Sequence, residues 1–304
     1  MKPAEFEEKD FENPLYNQLL FGGHRLATPG QVFEGRYGID AALEALHPIF
    51  WNVFGYREIP NGCCLDDFNW GFIWRKLGRK RTLPNFSTNL LIQSKRPEVL
   101  ARARGPLHKY GLSAPIWRYQ ITSHQQQILE RVARILGDRA LVIYASTAFD
   151  TLDELYKYTD SGTIVENCNF TRVQRLVNHA KWNYDAPGTR GVATSEPELI
   201  EDEPFSALLK AVHEAHKPNA EAENELFNIA NGLAEACHAG ASESPLARRA
   251  ISILERINSF AERYEDRLSA ELNFMKCIAV FRVLGVQWLV GGDESETIAL
   301  KGDD

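Results

Sequence analysis

Apolar positions fall into two textures along the chain, with a break near residue 200. Before the break, short continuous apolar runs flank one strongly amphipathic segment. "NLLIQSK" (89–95) and "ALVIYAST" (140–147) are compact runs of the kind that form strands buried on both faces. Between them, "TSHQQQILERVARILGD" sets Ile128, Leu129, Val132, Ile135 and Leu136 on one side at helical spacing. Ser123 is positioned to cap this helix and Gly137-Asp138 to stop it. Strand, amphipathic helix and strand in succession predict an α/β layer.

The flanking regions are less regular. A short helix is expected around Leu15–Phe21, followed by the loop "GGHRLATPG". "RYGIDAAL" reads as a short strand or the beginning of a helix. Residues 47–88 are aromatic-rich and broken by Pro and Gly, and read as an irregular insertion. "TIVENCNFTRV" fits strand or loop. The acidic, proline-containing "TSEPELIEDEP" (194–204) reads as a linker. Beyond it, apolar residues recur at helical spacing, as at Leu226, Ile229 and Leu233, so 205–290 is expected to be helical and the last residues an acidic tail. The expected division is a core over 1–200, with its insertion at about 47–88, and a helical region over 201–304.

Composition narrows the function classes. A net charge of −7 over 304 residues excludes a bulk polycation, so nucleic-acid binding requires a local basic patch. The five cysteines show no C-x-x-C spacing, and the acidic N-terminus has no apolar core of a signal peptide. These features predict reduced thiols and a cytoplasmic location. The longest apolar stretch, "CIAVFRVLGVQWLV", contains Arg282 and is too short to span a bilayer, so no membrane association is expected.

The end of the 89–95 run carries the candidate chemistry. Residues i and i+2 of a strand share a face, so Gln93 and Lys95 point together, with Leu91 deeper on the same side. A carboxylate on a neighbouring segment beside such a pair suits phosphodiester cleavage. The acid offers hard oxygen ligands to magnesium, and lysine orients water or neutralises charge on the phosphate. "YGIDAAL" presents Asp40 for that role.

With Gly38-Ile39-Asp40 and Gln93-Ser94-Lys95 in this order, followed by a helix and a strand, the sequence resembles the PD-(D/E)XK nuclease superfamily in its GID…QxK variant. It is also similar to a group of bacterial proteins of the same kind, through "YGIDAAL", "IQSK", "WRYQI", "SHQQQ" and "SEP", over roughly residues 16–200. The resemblance implies a restriction-endonuclease-like αβββαβ core, with residues 47–88 looped out of it. It implies a Mg2+ or Mn2+ site at Asp40, Gln93 and Glu34, with "FEEKDFE" an alternative source of the last acid, and Lys95 as the catalytic cation. The implied activity is cleavage of DNA in defence against foreign DNA, with RNA as the other polymer.

Arg75, Lys76, Arg79, Lys80, Arg81, Arg96, Arg102 and Arg104 lie in a stretch, Arg75 to Lys109, whose single acid is Glu98. They are the candidate phosphate contacts. Trp70, Phe72 and Trp74 read as the core of the insertion. His124, His179 and Glu196 fall in the resembling segments and read as structural. Two non-enzymatic alternatives stand beside the nuclease: a nucleic-acid-binding module that keeps the fold without the chemistry, and an interaction protein whose helical tail docks a partner or a second copy.

Overall fold

The structure is a computed structural model that describes residues 1–21, 26–27, 88–215, 222–261 and 269–291. Among these residues the fold is mixed α/β, with eight helices and two sheets. Its centre is a parallel pair, β3 (Thr88–Ser94) and β6 (Ala140–Thr147), each buried along its whole length. Leu90 lies opposite Leu141, and Ile92 opposite Ile143. The expected bounds of both strands agree with these to a residue.

The connection from β3 to β6 passes through β4 (Glu98–Leu100), α2 (Pro106–Lys109), β5 (Ile116–Gln120) and α3 (Ser123–Leu136). Around the parallel pair, β2 (Leu26–Ala27), β7 (Cys168–Arg172) and β11 (Gln287–Gly291) complete a five-stranded sheet in the order β2-β11-β3-β6-β7. β4 and β5 leave it for a six-stranded antiparallel sheet with β1 (Lys2–Pro3), β8 (Lys181–Tyr184), β9 (Gly191–Thr194) and β10 (Glu198–Ile200).

Alternation along β3 sends its side chains into two cores. Leu90 and Ile92 meet Phe11, Leu15 and Leu19 of α1 (Glu8–Phe21), Leu155 of α4 (Leu152–Asp160) and Phe205, Leu208 and Leu209 of α5 (Phe205–Ala215). Leu91 joins the apolar stripe of α3 on the other side, together with residues of α6 (Ala222–Gly240), α7 (Pro245–Ala261) and α8 (Ser269–Leu284). Tyr119, Trp182 and Tyr184 of the six-stranded sheet close the same core.

Three sequence expectations change. α1 begins at Glu8 rather than near Leu15: Asp10 accepts the Glu7 N–H at 2.8 Å, and Glu8 and Asp10 place negative charge in the first turn. Pro14 sits within this helix, where it removes one backbone donor. The expected linker at 194–204 contains β10, which pairs with β9 in register Leu199↔Val192.

The third change lies in the C-terminal region. α8 stops at Leu284, where Gly285 takes φ +68, and Val286 and Gly285 donate to Phe281 O and Arg282 O at 2.9 and 3.2 Å. This is a Schellman stop. The chain then enters the central sheet as β11, antiparallel to β3 with Trp288 opposite Leu91. Trp288 is buried against Phe281 and donates from Nε1 to Asn89 Oδ1 at 3.0 Å. The helices after residue 204 thus share apolar cores with the strands before it.

Because β11 fastens the last helices to β3, Trp288→Ala is expected to cost ~3–5 kcal/mol in urea denaturation. Leu199→Ala, at an exposed position, should change stability by no more than about 0.5 kcal/mol. Equal effects of the two would contradict this account of the core.

A lysine and two glutamines at the end of the central strand

β3 carries Leu91, Gln93 and Lys95 toward the side on which α3 packs. There the first turn of α3 lays Gln125 over the strand end. Lys95 Nζ donates to Gln125 Oε1 at 2.8 Å. Gln125 Nε2 donates to Gln93 Oε1 and, at 2.8 Å, to the carbonyl of Leu284 at the end of α8. Gln93 Nε2 in turn donates to Ser94 O at 3.0 Å. Lysine has only donors, so the Gln125 atom facing it must be its oxygen. The nitrogen then faces two acceptors, and Gln93 has to turn its own oxygen toward it. One ammonium therefore sets the orientation of both amides.

The main chain of Lys95 is held as firmly as its side chain. Its N–H donates to Ala145 O at 2.8 Å, and its carbonyl accepts from Ser146 Oγ at 2.7 Å. Ser146 Oγ itself accepts from Tyr184 OH at 2.8 Å. Nζ lies 5.6 Å from the centroid of Tyr144, whose ring packs against Tyr119 of the "WRYQI" strand.

Lys95 is only 8% exposed. Burial pushes its ammonium below the ordinary lysine range, and the carboxylate of Glu8 partly opposes that shift. Glu8 belongs to α1, on the other side of the strand end, where its Oε1 accepts the Arg96 N–H at 3.2 Å. Tyr16, two turns further along α1, shares a hydrogen bond of 2.9 Å with Ser94 Oγ. Burial and the carboxylates of Glu12 and Glu8 push its phenol well above the usual range.

The candidate residues separate into groups. Gln93 and Lys95 come together, and Gln125 joins them. Arg96 is turned inward: it pairs with Glu7 at 2.6 Å and donates to Ala4 O, so its guanidinium serves the N-terminal segment. Arg102 and Arg104 are exposed between β4 and α2. Asp40, Glu34, Arg75, Lys76, Arg79, Lys80 and Arg81, with the aromatic insertion, lie outside the described residues. His124 is exposed, with Nδ1 3.1 Å from Glu243 O. His179 sits 3.5 Å from Glu198, and Glu196 lies on the exposed turn before β10.

Two residues were underweighted by sequence reasoning. Gln125 stood within the quoted "SHQQQ", but one glutamine among three carries no spacing signal. Glu8 lay in "FEEKDFE", the alternative source of a first-helix acid, and it is the carboxylate that reaches the strand end. Both long edges of β3 are paired, by β6 along Asn89–Ser94 and by β11 along Thr88–Ile92. A further strand thus finds no free edge of β3 along Thr88–Ile92.

The donor set bears on a metal ion. Glu8 and the Gln93 amide supply hard oxygens of the type magnesium takes. No group of three or more His, Cys, Asp or Glu suited to a metal occurs among the described residues. No helix among the described residues is long and apolar enough to cross a membrane. No family model, curated protein or solved structure matches the chain.

A buried ammonium held by a single neutral acceptor contributes little net stability, because its desolvation offsets its hydrogen bond. Lys95→Met is therefore expected to cost no more than about 1 kcal/mol at neutral pH, against ~2–5 kcal/mol for truncating an apolar neighbour. The folded-state pKa is the lower one, so wild-type stability rises with pH from that value to the ordinary lysine value of 10.5. Denaturation at pH 7 and pH 10 should show the wild type gaining on Lys95→Met at the higher pH. A gain by the variant would contradict the sign.

Proposed function

We propose that this chain is a divalent-metal-dependent nuclease of restriction-endonuclease-like type, acting on DNA. The observation that carries the reading is the buried Lys95 ammonium, fixed by Gln125 beside Gln93 at the end of β3, with the α1 carboxylate Glu8 close by. A chain that only needed a stable sheet would have no use for a desolvated cation at this place.

In this reading Asp40 and Gln93 hold the metal, with Glu8 taking the place expected of Glu34. The bound ion supplies Lewis acidity at the phosphate. Lys95, held by Gln125, faces the scissile phosphate and stabilises the charge that gathers on its oxygens as water attacks phosphorus and the ester bond breaks. The attacking water releases its proton to solvent, and the leaving oxygen takes one from solvent as the ester bond breaks. Tyr144 and α3 keep bulk water from the inner side of Lys95, which strengthens its field at the phosphate. Arg102 and Arg104 are exposed cations placed to follow the backbone of the polymer.

A second reading has one observation in its favour. Gln125 donates to Gln93 and to the Leu284 carbonyl, and Gln93 donates to Ser94 O, which also suits a polar lock in a nucleic-acid-binding module without chemistry.

Linear, circular and single-stranded DNA, and RNA, incubated with Mg2+ or Mn2+, separate the two. Metal-dependent cleavage should be reduced at least about a hundredfold by Lys95→Ala and by Asp40→Ala, the scale of losing a transition-state charge contact. Cleavage of RNA alone would correct the polymer. Salt-sensitive retention on heparin with no cleavage of any substrate would favour the binding module, and mutants that cut as fast as wild type would contradict the site.

A further inference from the structure

Gln125 joins two parts of the chain through the two ends of one amide. Its oxygen takes the Lys95 ammonium and its nitrogen takes the Leu284 carbonyl, a residue 159 positions further along the chain. Leu284 closes α8, and the next residue is the Schellman glycine that turns the chain into β11. A Cβ added at Gly285 would stand 3.4 Å from Gln93 Oε1 and 3.5 Å from Gln125 Nε2, so the turn itself lies against the two amides. The amide pair thus lies between the end of β3 and the turn that brings the C-terminal segment into the sheet.

The orientation is not interchangeable. Rotating the Gln125 amide by half a turn would set its NH2 against an ammonium and its oxygen against two acceptors. Its three bonds therefore share a single amide orientation. The oxygen end of one amide holds Lys95, and its nitrogen end holds both Gln93 and the α8–β11 turn.

We infer that Gln125 is a positioning residue that fixes Lys95 by its oxygen and fastens the α8–β11 turn to the site by its nitrogen, making the C-terminal segment a component of the site. The kinetic consequence rests on the nuclease reading, whereas the structural coupling does not.

The experiment compares full-length wild type, Gln125→Leu and Gln125→Glu. Leucine removes all three bonds at similar volume. Glutamate keeps an acceptor for Lys95 but sets oxygen against the Leu284 carbonyl. Hydrogen exchange at Gly285 and Val286 should speed up about tenfold in both variants, while amides of β6 keep their protection. In Mg2+-dependent cleavage, Gln125→Leu should lower kcat about tenfold with KM unchanged, and Gln125→Glu should recover most of that loss. A merely structural glutamine would move neither ratio in this pattern.

Unchanged exchange in both variants would overturn the coupling. Faster exchange with wild-type kcat in Gln125→Leu, or no recovery in Gln125→Glu, would overturn the positioning role. If the wild type cuts nothing, the nuclease reading fails by itself, and the exchange arm still decides whether Gln125 fastens the turn.

Discussion

Pairing of β3 on both edges, by β6 in parallel and β11 in antiparallel register, governs what happens at residues 93–95. A strand enclosed on both edges and covered on both faces can expose chemistry only where it ends. At that end α1, the first turn of α3 and the last turn of α8 converge. They bring Glu8, Gln125 and the Leu284 carbonyl to a lysine that has little contact with water. Ligand sites of open α/β sheets gather at such strand ends for the same reason, since the loops and helix ends that leave the sheet are the only groups able to reach them.

The energetic character of this end differs from that of its surroundings. Leu90, Leu91 and Ile92 gain from burial, whereas Lys95 loses solvation and regains part of it from one amide oxygen and an aromatic face. Placing a cation there forgoes stability that an apolar side chain of similar volume would supply. The tyrosines behind it, Tyr144, Tyr119 and Tyr184, fill the space with rings, and Tyr144 and Tyr184 place their hydroxyls on Gln126 and Ser146.

What the sequence disclosed follows the range of the interactions involved. β3, α3 and β6 were legible because burial on two faces and amphipathic spacing are local signals. The shared face of Gln93 and Lys95 followed from strand alternation alone. β11 was missed because "GVQWLV" continues an apolar helical run without a break, and its strand character comes from a partner, Asn89–Ile92, nearly two hundred residues away. Only Gly285 hinted at the stop. β10 was missed for a similar reason: Pro and acids suggested a linker, and pairing with β9 overrode that composition. Gln125 could not be singled out from its neighbours Gln126 and Gln127, since its meaning lies in the contact with Leu284. The place of Glu8 became visible only once α1 was seen to lie against the strand end.

The account stands or falls on whether this strand end is a metal site completed by a carboxylate from the segment around Asp40. A crystal structure of the full chain soaked with Mn2+, read at the manganese absorption edge, tests this most directly. The account predicts one or more anomalous peaks at the end of β3, with Asp40 as a ligand and Lys95 still on Gln125. Manganese bound only elsewhere, or Asp40 remote from Lys95, would contradict it.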